Sequence, residues 1–188
     1  MLWCGNFSTV DFVKQAAAFC GCTQLSALEL PDSLETLGSR AFSDCEKLTS
    51  VTLPDSLISI GHGAFERCYA LTEIVLPEKI VNIPAAVFQN CSSLQTVHLP
   101  KGIGSIGVGA FSRCTALKDI ELPAMLSELG HVAFSGCVTL READIPKGVT
   151  ALSGTFEGCT ALQKVILPTH LEEIGSYTFH NCISLEEI

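Results

Sequence analysis

Eight phenylalanines, Phe19, Phe42, Phe65, Phe88, Phe111, Phe134, Phe156 and Phe179, stand 23 residues apart at every step but one, where the interval is 22. Each is followed three residues later by a cysteine. A fixed period of this length over nearly a whole chain means that one small unit has been copied and stacked, so the chain is a solenoid whose copies touch only their neighbours. A residue in a repeated column serves the stack first. Functional readings therefore begin with the residues that vary or break the period.

One copy, Ala41 through Gly61, reads A-F-x-x-C-x-x-L-x-x-V-x-L-P-x-x-L-x-x-I-G. Leu48 to Leu53 alternates apolar and small polar residues and stops at Pro54, the pattern of a short half-buried strand. From Leu57 through Gly61 to Phe65 and Cys68 the apolar spacing lengthens to three and four, and Gly61 marks a change of direction before a tight helical turn. Each copy is thus expected to run strand, corner, extended return, helical turn. Residues 1–188 form one solenoid domain in this reading, with an N-terminal cap region over 1–18. Its helix is capped by Ser8 and runs to Phe19. About seven complete repeats and a truncated last one then occupy 19–188. At the strand spacing the stack is roughly 40 Å long.

The L-x-x-L-x-L cores, among them Leu48-Val51-Leu53, Leu71-Ile74-Leu76, Leu94-Val97-Leu99 and Leu117-Ile120-Leu122, resemble leucine-rich repeats. The flanking LP, IG, AF and C signature narrows the resemblance to the BspA-like 23-residue repeats of surface proteins from oral and gut anaerobes and treponemes, and it covers about residues 16 to 188. It implies an α/β solenoid, a right-handed arc with a parallel sheet on the concave face and short helical or 3-10 turns on the convex side. It also implies a non-enzymatic protein-binding module, at the cell surface or in the periplasm, with a host matrix protein such as fibronectin or fibrinogen as partner. One column departs from the general pattern. Where Asn or Cys is expected after the strand, this chain has Ser33, Ser56, Lys79, Gly102, Met125, Gly148 and His170. The asparagine ladder is absent, and the cysteine before the strand is the candidate to replace it.

Ten cysteines would ordinarily suggest a disulfide framework. Here Cys22, Cys45, Cys68, Cys91, Cys114, Cys137, Cys159 and Cys182 share one column, so their side chains run parallel with Cβ atoms about 4.8 Å apart. Disulfides need closer, converging vectors, and zinc needs tetrahedral convergence. The column reads as buried free thiols. Cys4 and Cys20 lie outside it, and the sequence leaves open whether they pair in the cap. Phe42, Phe65, Phe88, Phe111 and Phe134 likewise read as a structural ladder, ring stacked on ring.

The same register removes a tempting motif. Gly102-Ile103-Gly104-Ser105-Ile106-Gly107 satisfies G-x-G-x-x-G, yet Gly107 falls in the corner column and no helix of useful length follows to seat a pyrophosphate. His62, His98, His131, His170 and His180 never reach the spacing that puts two metal ligands on one face. No nucleophile elbow or P-loop is present, so neither an enzyme, a cofactor nor a metal is expected. A formal charge of −9 argues against nucleic acid as a partner. No apolar run approaches the roughly 20 residues of a membrane span. Met1 to Phe7 shows no basic region followed by an apolar core, so no signal peptide is read there.

The surface remains. In each strand the two residues flanking the buried centre point outward: Glu73 and Val75, Thr96 and His98, Asp119 and Glu121, Glu142 and Asp144, Lys164 and Ile166. Asp119, Glu121, Glu142 and Asp144 therefore cluster over two neighbouring strands, with Glu73 and His98 further along the face. Such a cluster fits a basic partner or a cation, or an ordinary solvated surface if Lys118 and Arg141 neutralise it. Two functions stay open: recognition of a protein ligand through the sheet face, and a structural scaffold. The scaffold reading rests on the uncompleted strand at Leu185 to Ile188, an open edge that points to homo-oligomerisation or to further sequence.

Overall fold

The computed structural model describes residues 15–188, and within them the chain winds into stacked coils whose regular elements are short parallel strands. Two strand rows run along the stack. The first contains the expected segments: Glu73–Val75 (β3) pairs with Thr96–His98 (β5), and Glu142–Asp144 (β8) with Lys164–Ile166 (β10). Their central residues Ile74, Val97, Ala143 and Val165 are buried and both flanks of each face outward, as a two-residue period requires. Leu48 to Leu53 is less regular than expected, since it contributes only a single bridge from Thr52 to Glu29.

The second row lies in the stretch read from sequence merely as an extended return. Thr36–Leu37 (β1) pairs with Ser59–Ile60 (β2). Asn82–Ile83 (β4), Ser105–Ile106 (β6) and Glu128–Leu129 (β7) form a three-stranded sheet. Ala151–Leu152 (β9) pairs with Glu173–Ile174 (β11). These strands are two residues long, too short for alternation to register in the sequence.

The expected helical turns are not formed; among the described residues there is no helix. Hydrogen bonding gives the reason. Around Phe42 the N–H groups of Ala41, Ser43 and Cys45 close turns onto the carbonyls of Gly38, Arg40 and Phe42 in their own coil. The intervening N–H groups of Arg40, Phe42 and Asp44 instead donate to His62, Ala64 and Glu66 in the next coil. Half the donors a helix would need are thus committed between coils. The alternation is made by two left-handed residues per coil, four positions apart, such as Arg40 (φ 55°) and Asp44 (φ 60°), or Ala86 (φ 57°) and Asn90 (φ 62°). The cap helix expected to run to Phe19 lies mostly outside the described residues. Its described end is turn, with Ala17 at φ 59° and its N–H bonded to Ser39 in the next coil.

The core fills the space between these rows. Phe42 through Phe156 are fully buried, and successive rings from Phe19 to Phe179 stack with centroids 5.3 to 5.9 Å apart. Beside them, the thiols of Cys68, Cys91 and Cys114 donate to the carbonyls of Phe42, Phe65 and Phe88 in the preceding coil, at 3.2, 3.0 and 3.1 Å. The same bond recurs from Cys45 to Cys182. All described cysteines are free. Cys22 differs from the expected buried column in being exposed, as is Cys20; the pairing of Cys20 with Cys4 involves a residue outside the described range. Gly107 shows why the corner is glycine, because a Cβ there would sit 2.4 Å from the backbone nitrogen of Ala85.

Burial pushes the thiols of Cys45, Cys91 and Cys159 up to about 12, against the ordinary 9.0. Those of Cys68, Cys114 and Cys137 are raised for the same reason, while a backbone hydrogen bond from the preceding coil's cysteine works weakly the other way. A raised folded pKa means that the unfolded chain loses these protons first. Their contribution to stability is whole below about pH 9 and is lost as pH rises toward 12. Chemical denaturation between neutral and alkaline pH should show that decline. A thiol reagent should label Cys20 and Cys22 in the native protein and reach Cys45 to Cys159 only on unfolding. Phe111→Ala should cost roughly 3 to 5 kcal/mol by denaturant titration and split the transition, because the coils on either side lose their shared ring contact.

Candidate functional site

The first strand row presents its outward side chains on one face, and the ladder along that face is interrupted. Asp119, Ile120 and Glu121 occupy the strand register between β5 and β8 without pairing into either sheet. Ile120 is only half-buried, unlike its counterparts Ile74, Val97 and Val165. At this interruption the surface opens into a shallow depression of about 320 Å³, lined by Asp119, Ile120, Glu121, Glu142, Ala143, Asp144, Lys164 and Ile166. The four carboxylates read from sequence are therefore brought together. The apolar floor of Ile120, Ala143 and Ile166 is added by the fold.

Among the described residues none of the four carboxylates has a cationic nitrogen within 4.0 Å. Lys118 and Arg141 are exposed, and among the described residues neither comes within ion-pair distance of the four carboxylates. Lys164, the cation in the lining, is turned to Glu187, with Nζ 2.8 Å from Oε2. That contact raises the Lys164 pKa and lowers that of Glu187, each through the hydrogen bond first and the charge second. Glu73 and His98 meet elsewhere on the face. Glu73 Oε1 lies 3.2 Å from His98 Nε2 across β3 and β5, so these two satisfy each other rather than joining the depression.

A second polar contact was not legible in the period. His131 Nδ1 lies 2.9 Å from the Ser153 carbonyl oxygen and 3.2 Å from Ser153 Oγ. A carbonyl only accepts, so Nδ1 carries the proton and is not a base toward the hydroxyl. The pair closes the corner of the 22-residue coil. Among the described residues no group of three or more His, Cys, Asp or Glu side chains is arranged to hold a metal ion, and no helix is long and apolar enough to cross a membrane. On the opposite side Glu66 is buried and paired with Arg40 at 3.2 Å, while Arg67 joins Asp44 at 3.3 Å; these bridge coils and serve the stack.

The coil geometry and its repeated column have clear counterparts. The BspA type leucine rich repeat region matches this chain over residues 14–112 and 81–188, in six copies. The crystal structure of the leucine-rich repeat protein TpLRR from T. pallidum superposes with a TM-score of 0.64 at 32% identity, covering 92% of this chain and 70% of that one. A leucine rich cell surface protein from Faecalibacterium prausnitzii gives 0.50 at 21% identity, covering 93% and 76%. The pneumococcal vaccine antigen PcpA gives 0.56 at 21%, covering 88% and 56%, and shares the fold. Among curated proteins none matches the chain. With the repeat pattern spanning almost every described coil, and with the phenylalanine and cysteine columns kept along the stack, the chain belongs to the BspA-type leucine-rich repeat family.

Proposed function

We propose that this protein is a non-enzymatic recognition module that binds a protein ligand through its strand face, in adhesion at a cell surface. The observation that carries the reading is the set of four exposed, unpaired carboxylates, Asp119, Glu121, Glu142 and Asp144, gathered over an apolar floor. An excess of charge of one sign in a depression steers a ligand of the opposite sign and fixes its register. The ligand it fits is a basic segment carrying an apolar side chain. A repeat array suits such binding because its face is broad and rigid. A surface location is supported by the relative from Faecalibacterium prausnitzii, described as a cell surface protein. Host matrix proteins such as fibronectin and fibrinogen are the partners to try first.

The test is capture of matrix proteins on immobilised protein, compared with a variant carrying Asp119→Lys, Glu121→Lys, Glu142→Lys and Asp144→Lys. Binding should weaken by about tenfold or more in the variant, and in the native protein it should fall with added salt, since contacts of this kind are screened. The melting temperature should hold within a few degrees, because all four side chains are exposed. Capture that is equal in both proteins would place binding on another face.

A further inference from the structure

The return row is interrupted between β2 and β4 and again between β7 and β9, and the corner residue that follows each strand tells where. The strands β2, β6, β7 and β11 all pair with the coil before, and each is followed by a glycine. The N–H of that glycine donates to the preceding coil: Gly61 to Leu37 O at 2.8 Å, Gly107 to Ile83 O at 2.7 Å, Gly130 to Ile106 O at 2.8 Å and Gly175 to Leu152 O at 2.7 Å. The strands β4 and β9 do not pair with the coil before, and they are the ones followed by a different corner.

After β4 stands Pro84, which has no N–H to give. After β9 stands Ser153, since the shortened coil lacks the usual corner residue, and its N–H turns inward to Thr155 Oγ1 at 3.1 Å. The corner needs a bare Cα as well as a donor. A Cβ on Gly61 would lie 2.3 Å from the Ser39 nitrogen of the preceding coil, so a coil that carries one there must stand off. Neighbouring rungs are lost with the corner. Ile58, Gly104, Ser127 and Glu172 donate their N–H groups to the coil before, whereas among the described residues Val81 and Thr150, in the same column, do not. At the second interruption the surface sinks into a hollow of about 390 Å³, with Ser127 and Glu128 on one side and Thr150 and Ala151 on the other.

The strand row does not take over at either level, because Leu48 to Leu53 forms no strand pair with β3, nor Asp119 to Glu121 with β8. The turn ladder alone continues, with Phe42 N–H to Ala64 O at 2.8 Å across the first level and Phe111 N–H to Ala133 O at 2.9 Å across the second. We propose that the corner N–H is the latch that joins each return strand to the coil before it, and that Pro84 and the shortened coil are flex points built into the array. They divide it into three blocks, β1–β2, β3–β7 and β8–β11, which part on the return side while the turn ladder holds them together. The blocks rest on backbone hydrogen bonding and stand whether or not the strand face binds a protein.

Amide hydrogen exchange, corrected for intrinsic rates, reads the latch directly. In the native protein Val81 and Thr150 should exchange roughly five- to tenfold faster than Ile58, Gly104, Ser127 and Glu172. Pro84→Gly supplies both donor and bare Cα and should slow Val81 by a similar factor, leaving Thr150 as it was. A glycine inserted between Leu152 and Ser153 restores the full coil and should slow Thr150 while Val81 stays fast. Gly104 and Ser127 report any change in global stability. Pro84→Ala returns the donor but keeps a Cβ, so Val81 should remain fast in it. Native rates that are equal along the column overturn the three blocks. Val81 unmoved by Pro84→Gly and Thr150 unmoved by the insertion overturn the latch, and slowing of Val81 by Pro84→Ala to the same degree as by Pro84→Gly overturns the need for a bare Cα.

Discussion

The carbonyl of each buried phenylalanine is the contact on which the rest of this protein depends. Phe65 O accepts the backbone N–H of Cys68 in its own coil at 3.2 Å and the thiol of Cys91 in the next coil at 3.0 Å. One oxygen thus closes the turn and sets the register of the following coil. With the rings stacked beside it, this makes every coil repeat the one before. The shortened coil tests the hierarchy, for Cys159 still reaches Phe134 O at 3.1 Å although one residue is missing from the interval. The deletion is absorbed at the corner, where His131 and Ser153 close the gap, and the cysteine column is left intact.

Because the stack consumes its apolar residues and most of its backbone donors, it has little left with which to build an enclosed site. The depression on the strand face is shallow, and its chemistry comes from residues at positions where the period is silent. Those positions tolerate any polar side chain, so four carboxylates there reflect the surface rather than the fold. They coincide with an interruption of the strand ladder, where Asp119 to Glu121 pairs with neither β5 nor β8.

Much of this was readable in the residues themselves. The outward pairs of the strands followed from alternation around Ile74 and Val97, and the burial of Phe111 and Cys114 followed from their columns. The turns were misread as helical because apolar spacings of three and four also arise in a chain that alternates local and coil-to-coil bonds. Nothing in the side chains of Arg40 or Ala86 announces a left-handed backbone; that conformation is imposed by the neighbouring coil. Which charges of the face meet was not legible for a related reason. Sequence places Lys118 and Arg141 beside the carboxylates, but pairing depends on side-chain direction and on competing partners such as Glu187, which takes Lys164.

The sequence alone determined the architecture, since a 23-residue column of phenylalanine and cysteine can be buried only by stacking identical coils. It also determined which residues face outward, because side chains alternate along a strand. Tertiary structure decided how the turns are bonded, where the strand ladder fails, and which charges are left unpaired. These depend on the distance between one coil and the next, a quantity set by packing that no single repeat contains.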